Sequence, residues 1–246
     1  SMNDGILVDA KRGHTAQEVV DAVARLKQRG MTVGVQLLPG LKGETWETIL
    51  ETAIAVVKLE PDFVRIYPVL VIENTELADQ YRSGEYEPLS TERAIKYCAF
   101  LKEWFEQHNI EVIRTGLQST EELDSGNSLV AGPYEPAMGE LVVNEQYKQR
   151  IERCIDEHLS SENLLGKQND YNFSHFDCYH THKVKCRSYS DSGDILMKHR
   201  IVISYPRSST SKVRGLKNRN ILYFQETYPQ FSIDWCEDNT RNTVRC

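Results

Sequence analysis

The chain has 246 residues, 40% of them hydrophobic and 26% charged, with a formal net charge of −7. No apolar run reaches the roughly 18–20 residues of a membrane span, and residues 1–5 have neither the basic nor the apolar region of a signal peptide. The cysteines (Cys98, Cys154, Cys178, Cys186, Cys236, Cys246) are spread too thinly for a disulfide scaffold, which suits a reducing, cytoplasmic setting.

The first element announces itself by its cap. Thr15-Ala16-Gln17-Glu18 is a capping box, in which the Thr hydroxyl accepts from the Glu18 N–H and the carboxylate reaches back. Val19, Val20, Val23 and Leu26 follow at helical spacing, and Gly30 stands where a helix-ending glycine belongs. Residues 32–38 then predict a short buried strand. Pro39-Gly40-Leu41-Lys42-Gly43 ends it, and a second helix spans residues 46–59, stopped by Pro61. A second strand is expected over residues 63–72, interrupted by Pro68. Ser90 or Thr91 caps a third helix reaching His108, with Ala94, Ile95, Cys98, Leu101 and Phe105 on one face. Residues 110–117 form a third strand.

Alternating helices and strands predict an α/β fold with a parallel sheet. In such sheets ligands sit beyond the carboxyl ends of the strands, here residues 38–43, 67–74 and 118–121. Three strands make half a barrel, with open edges and a bare core face. That geometry leads us to expect further residues upstream.

The last hundred residues differ in character. Residues 144–159 read as an amphipathic helix, 160–170 as a polar loop and 195–205 as a strand. The run Lys212-Val213-Arg214-Gly215-Leu216-Lys217-Asn218-Arg219-Asn220-Ile221 introduces a helix ending near Tyr228, and residues 231–235 close as a strand. We therefore expect two domains, 1–143 and 144–246, the second a small basic α+β unit. Between His180 and Asn220 ten Lys or Arg face only Asp191 and Asp194. Such a basic block is either the footprint of a polyanion or a solvated surface. His175, Cys178, His180, His182 and Cys186 hold the donor types of a zinc site, but at spacings foreign to standard fingers. Cys178, His180 and His182 alternate onto one face of a strand, so convergence on zinc and unliganded strand residues both stay open.

Two runs carry a family resemblance. Gly34-Val35-Gln36-Leu37-Leu38-Pro39-Gly40-Leu41-Lys42-Gly43-Glu44-Thr45 resembles the Gly/Pro strand–turn–helix of radical S-adenosylmethionine (radical SAM) barrels. Asp62-Phe63-Val64-Arg65-Ile66-Tyr67-Pro68-Val69-Leu70-Val71-Ile72-Glu73-Asn74-Thr75-Glu76-Leu77 is similar to a strand of the Elongator catalytic subunit and its bacterial relatives. Lys11–Thr15, Gly84-Glu85-Tyr86, Pro88-Leu89-Ser90 and the stretch from Ala131 to Leu141 extend the match. The resemblance implies the second half of a radical SAM (βα)6 partial TIM barrel, binding S-adenosylmethionine and a 4Fe-4S cluster and acting on the wobble uridine of tRNA. It also implies SAM contacts at Gln36, Pro39, Gly40, Arg65 and Tyr67, with Arg65 able to pair a carboxylate in bidentate fashion. The cluster motif CxxxCxxC is absent from the sequence. The resemblance places it on a strand upstream of Ser1, where Ser1-Met2-Asn3-Asp4 looks like the tail of another strand segment. The chain therefore reads as a C-terminal portion that does not perform radical chemistry by itself, and nothing in it resembles an acetyltransferase domain. The order strand, basic Gly turn, helix, strand near the carboxyl end resembles half of a KH domain, whose GXXG loop clamps an RNA backbone. Here that loop is Gly215-Leu216-Lys217-Asn218, with Asn for the second Gly. Arg214, Gly215, Lys217 and Arg219 are the candidate RNA contacts, the alternative being a basic structural appendage.

Overall fold

The computed structural model describes residues 1–118, 120–124, 126, 128–164, 185–189 and 199–238. It falls into two compact units, Ser1–Val142 and Val143–Cys246. Among the described residues no helix is long and apolar enough to cross a membrane.

In the first unit a short helix α1 (Asp4–Asp9) precedes α2 (Ala16–Gln28). The expected capping box is formed: Thr15 Oγ1 accepts from the Glu18 N–H at 3.2 Å, and the Glu18 carboxylate accepts from the Thr15 N–H at 2.7 Å. Strand β1 (Gly34–Leu37), helix α3 (Trp46–Leu59), strand β2 (Phe63–Ile66), helix α5 (Thr91–Gln107) and strand β4 (Glu111–Thr115) form the expected alternation. The strands are parallel and ordered β1-β2-β4. Helices α3 and α5 cover one face. Ile49, Ala53 and Val56 from α3 and Ile95, Cys98, Leu101 and Phe105 from α5 pack on Leu37, Val64 and Ile66. Each large aliphatic or aromatic side chain buried this way contributes about 1.5–3 kcal/mol. Met138, Leu141 and Val142 complete this core. The opposite face carries Gln36, Arg65 and Ile113, all exposed, although parallel sheets are ordinarily covered on both faces.

One strand over residues 63–72 is not what forms. Pro68 has no N–H to offer a ladder, and β2 ends at Ile66. The chain turns away and Val71–Ile72 becomes β3, paired antiparallel with β5 (Leu129–Ala131). Helix α4 (Glu76–Ser83), capped by Thr75 and closed by Gly84 at φ 79°, follows β3. A single turn, α6 (Glu121–Asp124), lies between β4 and β5.

The second unit is built on helix α7. This helix runs Met138–Leu164, so it starts before residue 144 and continues past residue 160 into the stretch expected as loop. Strands β6 (Lys185–Tyr189), β7 (His199–Pro206) and β8 (Phe231–Asp238) form a sheet ordered β6-β7-β8. The first pair is antiparallel and the second parallel. Parallel neighbours need a crossover, and it is made by α8 (Thr210–Arg214) and α9 (Arg219–Thr227). The core joins Tyr147, Ile151 and Ile155 of α7 to Ile201, Ile203 and Tyr205 of β7, with Val213 and Phe224 from the crossover. The sequence reading had one helix after the basic turn; the structure places a second, α8, before it.

Candidate functional site

A cleft of about 410 Å³ opens beyond the carboxyl ends of β1 and β2, within the roughly 300–1,000 Å³ common for small-molecule sites. Its walls come from Leu38 and Leu41 after β1, and from Tyr67, Val69 and Leu70 after β2. The local cause is the pair of turns that stop the strands. The ladder is prolonged by Tyr67 N–H to Leu37 C=O and Val69 N–H to Pro39 C=O, both 2.9 Å, so both turns leave the sheet together.

The β1–α3 turn is held from two sides. Gly40, at φ 103°, donates its N–H to Glu44 Oε2 at 2.7 Å. Its carbonyl accepts from the Tyr86 hydroxyl at 2.7 Å. A Cβ at Gly40 would stand 3.1 Å from Leu89, so both conformation and space call for glycine. Burial pushes the Glu44 carboxyl above its ordinary range, against the pull of the Gly40 N–H. Burial likewise pushes the Tyr86 phenol up to about 12, with the Glu44 charge adding to the shift. Tyr86 therefore stays a neutral donor at any physiological pH.

Gln36 and Tyr67 both line this cleft. Pro39 and Gly40 are buried and shape its turn rather than its wall. Arg65 pairs with Gln36 across the β1–β2 ladder and is exposed on the bare sheet face, its guanidinium 5.5 Å from the Phe63 ring centre. The structure thus brings Gln36, Arg65 and Tyr67 to one end of one face. The cleft also takes Lys11, Arg12, Lys42 and Tyr86. Sequence reasoning did not assign these as site residues, although Lys11, Arg12 and Tyr86 lie inside the family-like runs. Lys11 is paired with Glu76 at 2.5 Å, which lowers the Glu76 carboxyl, and Lys42 stands 3.8 Å from Glu85.

Chemically the cleft offers an apolar wall, two aromatic rings (Tyr67, Tyr86), two carboxamides (Gln36, Gln80), three cations (Lys11, Arg12, Lys42) and two carboxylates (Asp9, Glu76). That set suits a small molecule with an aromatic base and an anionic end. It does not suit a cluster of iron and sulfide, which needs thiolates. Among the described residues no group of three His, Cys, Asp or Glu is placed to hold a metal. Cys98, on the core face of α5, has its thiol pushed up to about 12 by burial. Of the five donors weighed for zinc, His175, Cys178, His180 and His182 lie outside the described residues, as does the Cys186 side chain.

The candidate RNA contacts gather at the α8–α9 turn. Gly215 has φ 73°, and a Cβ there would come within 3.0–3.1 Å of Asn220. Lys217 and Asn218 follow at φ 53° and 61°. Arg214, Lys217 and Arg219 are exposed.

Residues 61–149 match the family described as Radical_SAM C-terminal domain. The chain is similar to the tRNA uridine(34) acetyltransferase of Methanocaldococcus jannaschii, 32% identical over 158 residues, covering 61% of this chain and 27% of that protein. It is also similar to human Elongator complex protein 3, 28% identical over 102 residues, covering 40% of this chain and 19% of the relative. The structure of Methanocaldococcus infernus Elp3 with an N-terminal deletion superposes with a TM-score of 0.50 at 24% identity, over 85% of this chain and 46% of that one. This last likeness concerns the fold. The chain spans about a quarter to a third of the length of the curated archaeal relatives it matches. The chain is thus similar to radical SAM proteins of the Elongator catalytic-subunit group, and its fold is that of part of a radical SAM barrel followed by a small α+β unit, as expected.

Proposed function

We propose that this chain is part of a radical SAM enzyme that modifies tRNA, and that its strand-end cleft takes S-adenosylmethionine. The observation that carries the reading is the cleft itself. It lies where ligands of parallel α/β sheets bind, and Gln36 and Tyr67 from the two family-like runs both line it. Tyr67 with Leu38, Leu41 and Val69 offers a surface for an adenine ring. The Gln36 carboxamide and the Arg12 and Lys42 cations offer partners for the polar amino-acid end. Arg65, on the bare face beside Gln36, is poised for a carboxylate. Gly40 and Tyr86 hold the turn and exclude water from its back.

SAM would be held by Gln36, Tyr67, Arg12 and Lys42, and together with a 4Fe-4S cluster it would supply radical hydrogen-abstraction chemistry. The cysteines of this chain do not fit such a cluster, so its thiolates come from outside these 246 residues. The bare face of the β1-β2-β4 sheet is then the surface on which the remaining barrel closes. Support for a tRNA substrate comes from the relatives, three of which are named for uridine 34 of tRNA.

Anaerobic reconstitution tests this. Iron, sulfide and SAM are added to this chain and to the chain extended upstream by a segment bearing CxxxCxxC. Only the extended chain is expected to hold a cluster and yield 5′-deoxyadenosine. An extended chain that holds none overturns the radical reading.

A further inference from the structure

We infer that the α8–α9 turn of the second unit is a binding site for the backbone of single-stranded RNA. The inference stands on that unit alone and does not depend on the SAM cleft.

Charge is the first support. From Arg207 to Arg219 there are five cations (Arg207, Lys212, Arg214, Lys217, Arg219) and no acid, in a chain whose net charge is −7. Arg214, Lys217 and Arg219 are exposed and bracket one turn of four residues. A surface cluster of one sign favours a partner of the other.

Backbone conformation is the second. Lys217 and Asn218 are consecutive non-glycine residues in the left-handed region, at φ 53°, ψ 34° and φ 61°, ψ 24°. Asn adopts that region readily and Lys less so, although Lys11 and Glu60 of this chain adopt it too. Two successive left-handed residues turn the chain between α8 and α9 and leave the Lys217 side chain exposed at the turn. The GXXG resemblance had left the Asn at the second glycine unexplained; its φ of 61° is one that glycine would adopt.

The third support is preorganisation. Asn220 is buried and donates through Nδ2 to the carbonyls of Asn144 at 3.0 Å and Val213 at 3.1 Å. Asn218 N–H closes on Gly215 C=O at 3.0 Å. The turn is thereby fixed to α7 and α8 before any partner arrives, which lowers the ordering cost of binding. Leu216, at the tip, is 39% exposed, an apolar contact available to a sugar or base.

The fourth is topology. The unit runs α7-β6-β7-α8-α9-β8, with the Gly turn between two helices that cross from β7 to its parallel neighbour β8. A GXXG-type loop set between elements of a small sheet clamps backbone phosphates of unpaired nucleotides. Duplexes are met instead by shape across a wide groove, which a four-residue turn does not span.

The test uses the full chain and a short fluorescein-labelled single-stranded RNA, with anisotropy followed across a KCl series. Lys217→Gly removes the cation and relieves the left-handed strain, so the fold is not harmed. It is expected to weaken binding roughly fivefold at 0.1 M salt and to lower the salt slope by about 0.7, one phosphate contact. Lys217→Gly with Arg219→Gln is expected to lose roughly 25-fold and about 1.4 in slope. Neutralising the exposed lysines Lys58 and Lys96 of the first unit leaves binding unchanged, and the thermal midpoint of Lys217→Gly is equal to or above the parent's. The proposal is overturned if the parent chain shows no saturable binding. It is equally overturned if the turn variants bind as the parent does, or if duplex RNA binds as tightly as the single strand. SAM binding by the same variants is unaffected, so failure here is separable from failure of the cleft.

Discussion

Replacing Tyr86 with phenylalanine removes one oxygen and one hydrogen bond while the ring keeps its packing on Val71 and Ala78. The hydroxyl donates to Gly40 C=O at 2.7 Å across 46 residues of sequence. Without it the buried carbonyl has lost its donor, a cost of about 1–3 kcal/mol. The pH dependence gives a second signature. The phenol ordinarily titrates near 10, and burial raises it to about 12 in the folded chain. An acid whose folded pKa is raised holds its contribution below the unfolded value and loses it as pH climbs towards the folded one. At pH 11 the parent has therefore lost about 1.4 kcal/mol that the variant never had. The gap between the two proteins should be widest near neutrality and shrink by roughly that amount from pH 9 to 11. Urea unfolding of the first unit can be followed by pulse labelling of the Cys98 thiol, which is fully buried in the fold. Equal stability of both proteins at pH 7, or a gap that stays constant to pH 11, refutes the reasoning.

Three further outcomes follow from the same kind of argument. Asn220→Ala withdraws the donor shared by the carbonyls of Asn144 and Val213 and should destabilise the second unit by about 1–3 kcal/mol, read as lost hydrogen-exchange protection of β7; an unchanged pattern counts against the latch. Gly116 has φ 83°, and a Cβ would stand 2.5 Å from that of Met138. Gly116→Ala should cost the first unit about 1–2 kcal/mol from backbone strain alone, measured by urea titration. Under native conditions Cys236, exposed on β8, should alkylate readily while Cys98 stays unmodified until the unit unfolds, which peptide mapping after brief labelling reports directly.

Much of the first unit was legible because its signals are local. The Thr15–Glu18 box and the helical spacing behind it need only neighbouring residues, and α2 and α3 form where they were expected. Helix α4 had a readable signature as well, Thr75 at its start and Gly84 at its end, but its eight residues carry too few apolar positions to show a period. Pro68 was seen as an interruption. Its consequence, an antiparallel partner for Val71 and Ile72, depends on a segment near residue 130 and is invisible to a local reading. The same holds for the cleft. Gln36 and Tyr67 were found through family-like runs, whereas Tyr86 earns its role through a hydrogen bond across 46 residues. In the second unit the Gly215 turn was legible from its glycine and its cations. Helix α8 was not, since five residues following Pro206 and Arg207–Ser209 look like more of the same loop.

Titrating the chain with SAM while mapping hydrogen exchange decides whether the strand-end cleft takes it. Saturable binding is expected, with protection gained at residues 38–42 and 67–70, weakened about tenfold in Gln36→Ala or Tyr67→Ala, which is about 1.4 kcal/mol. Saturable binding that protects neither segment, or no binding at all, contradicts a SAM site in the cleft.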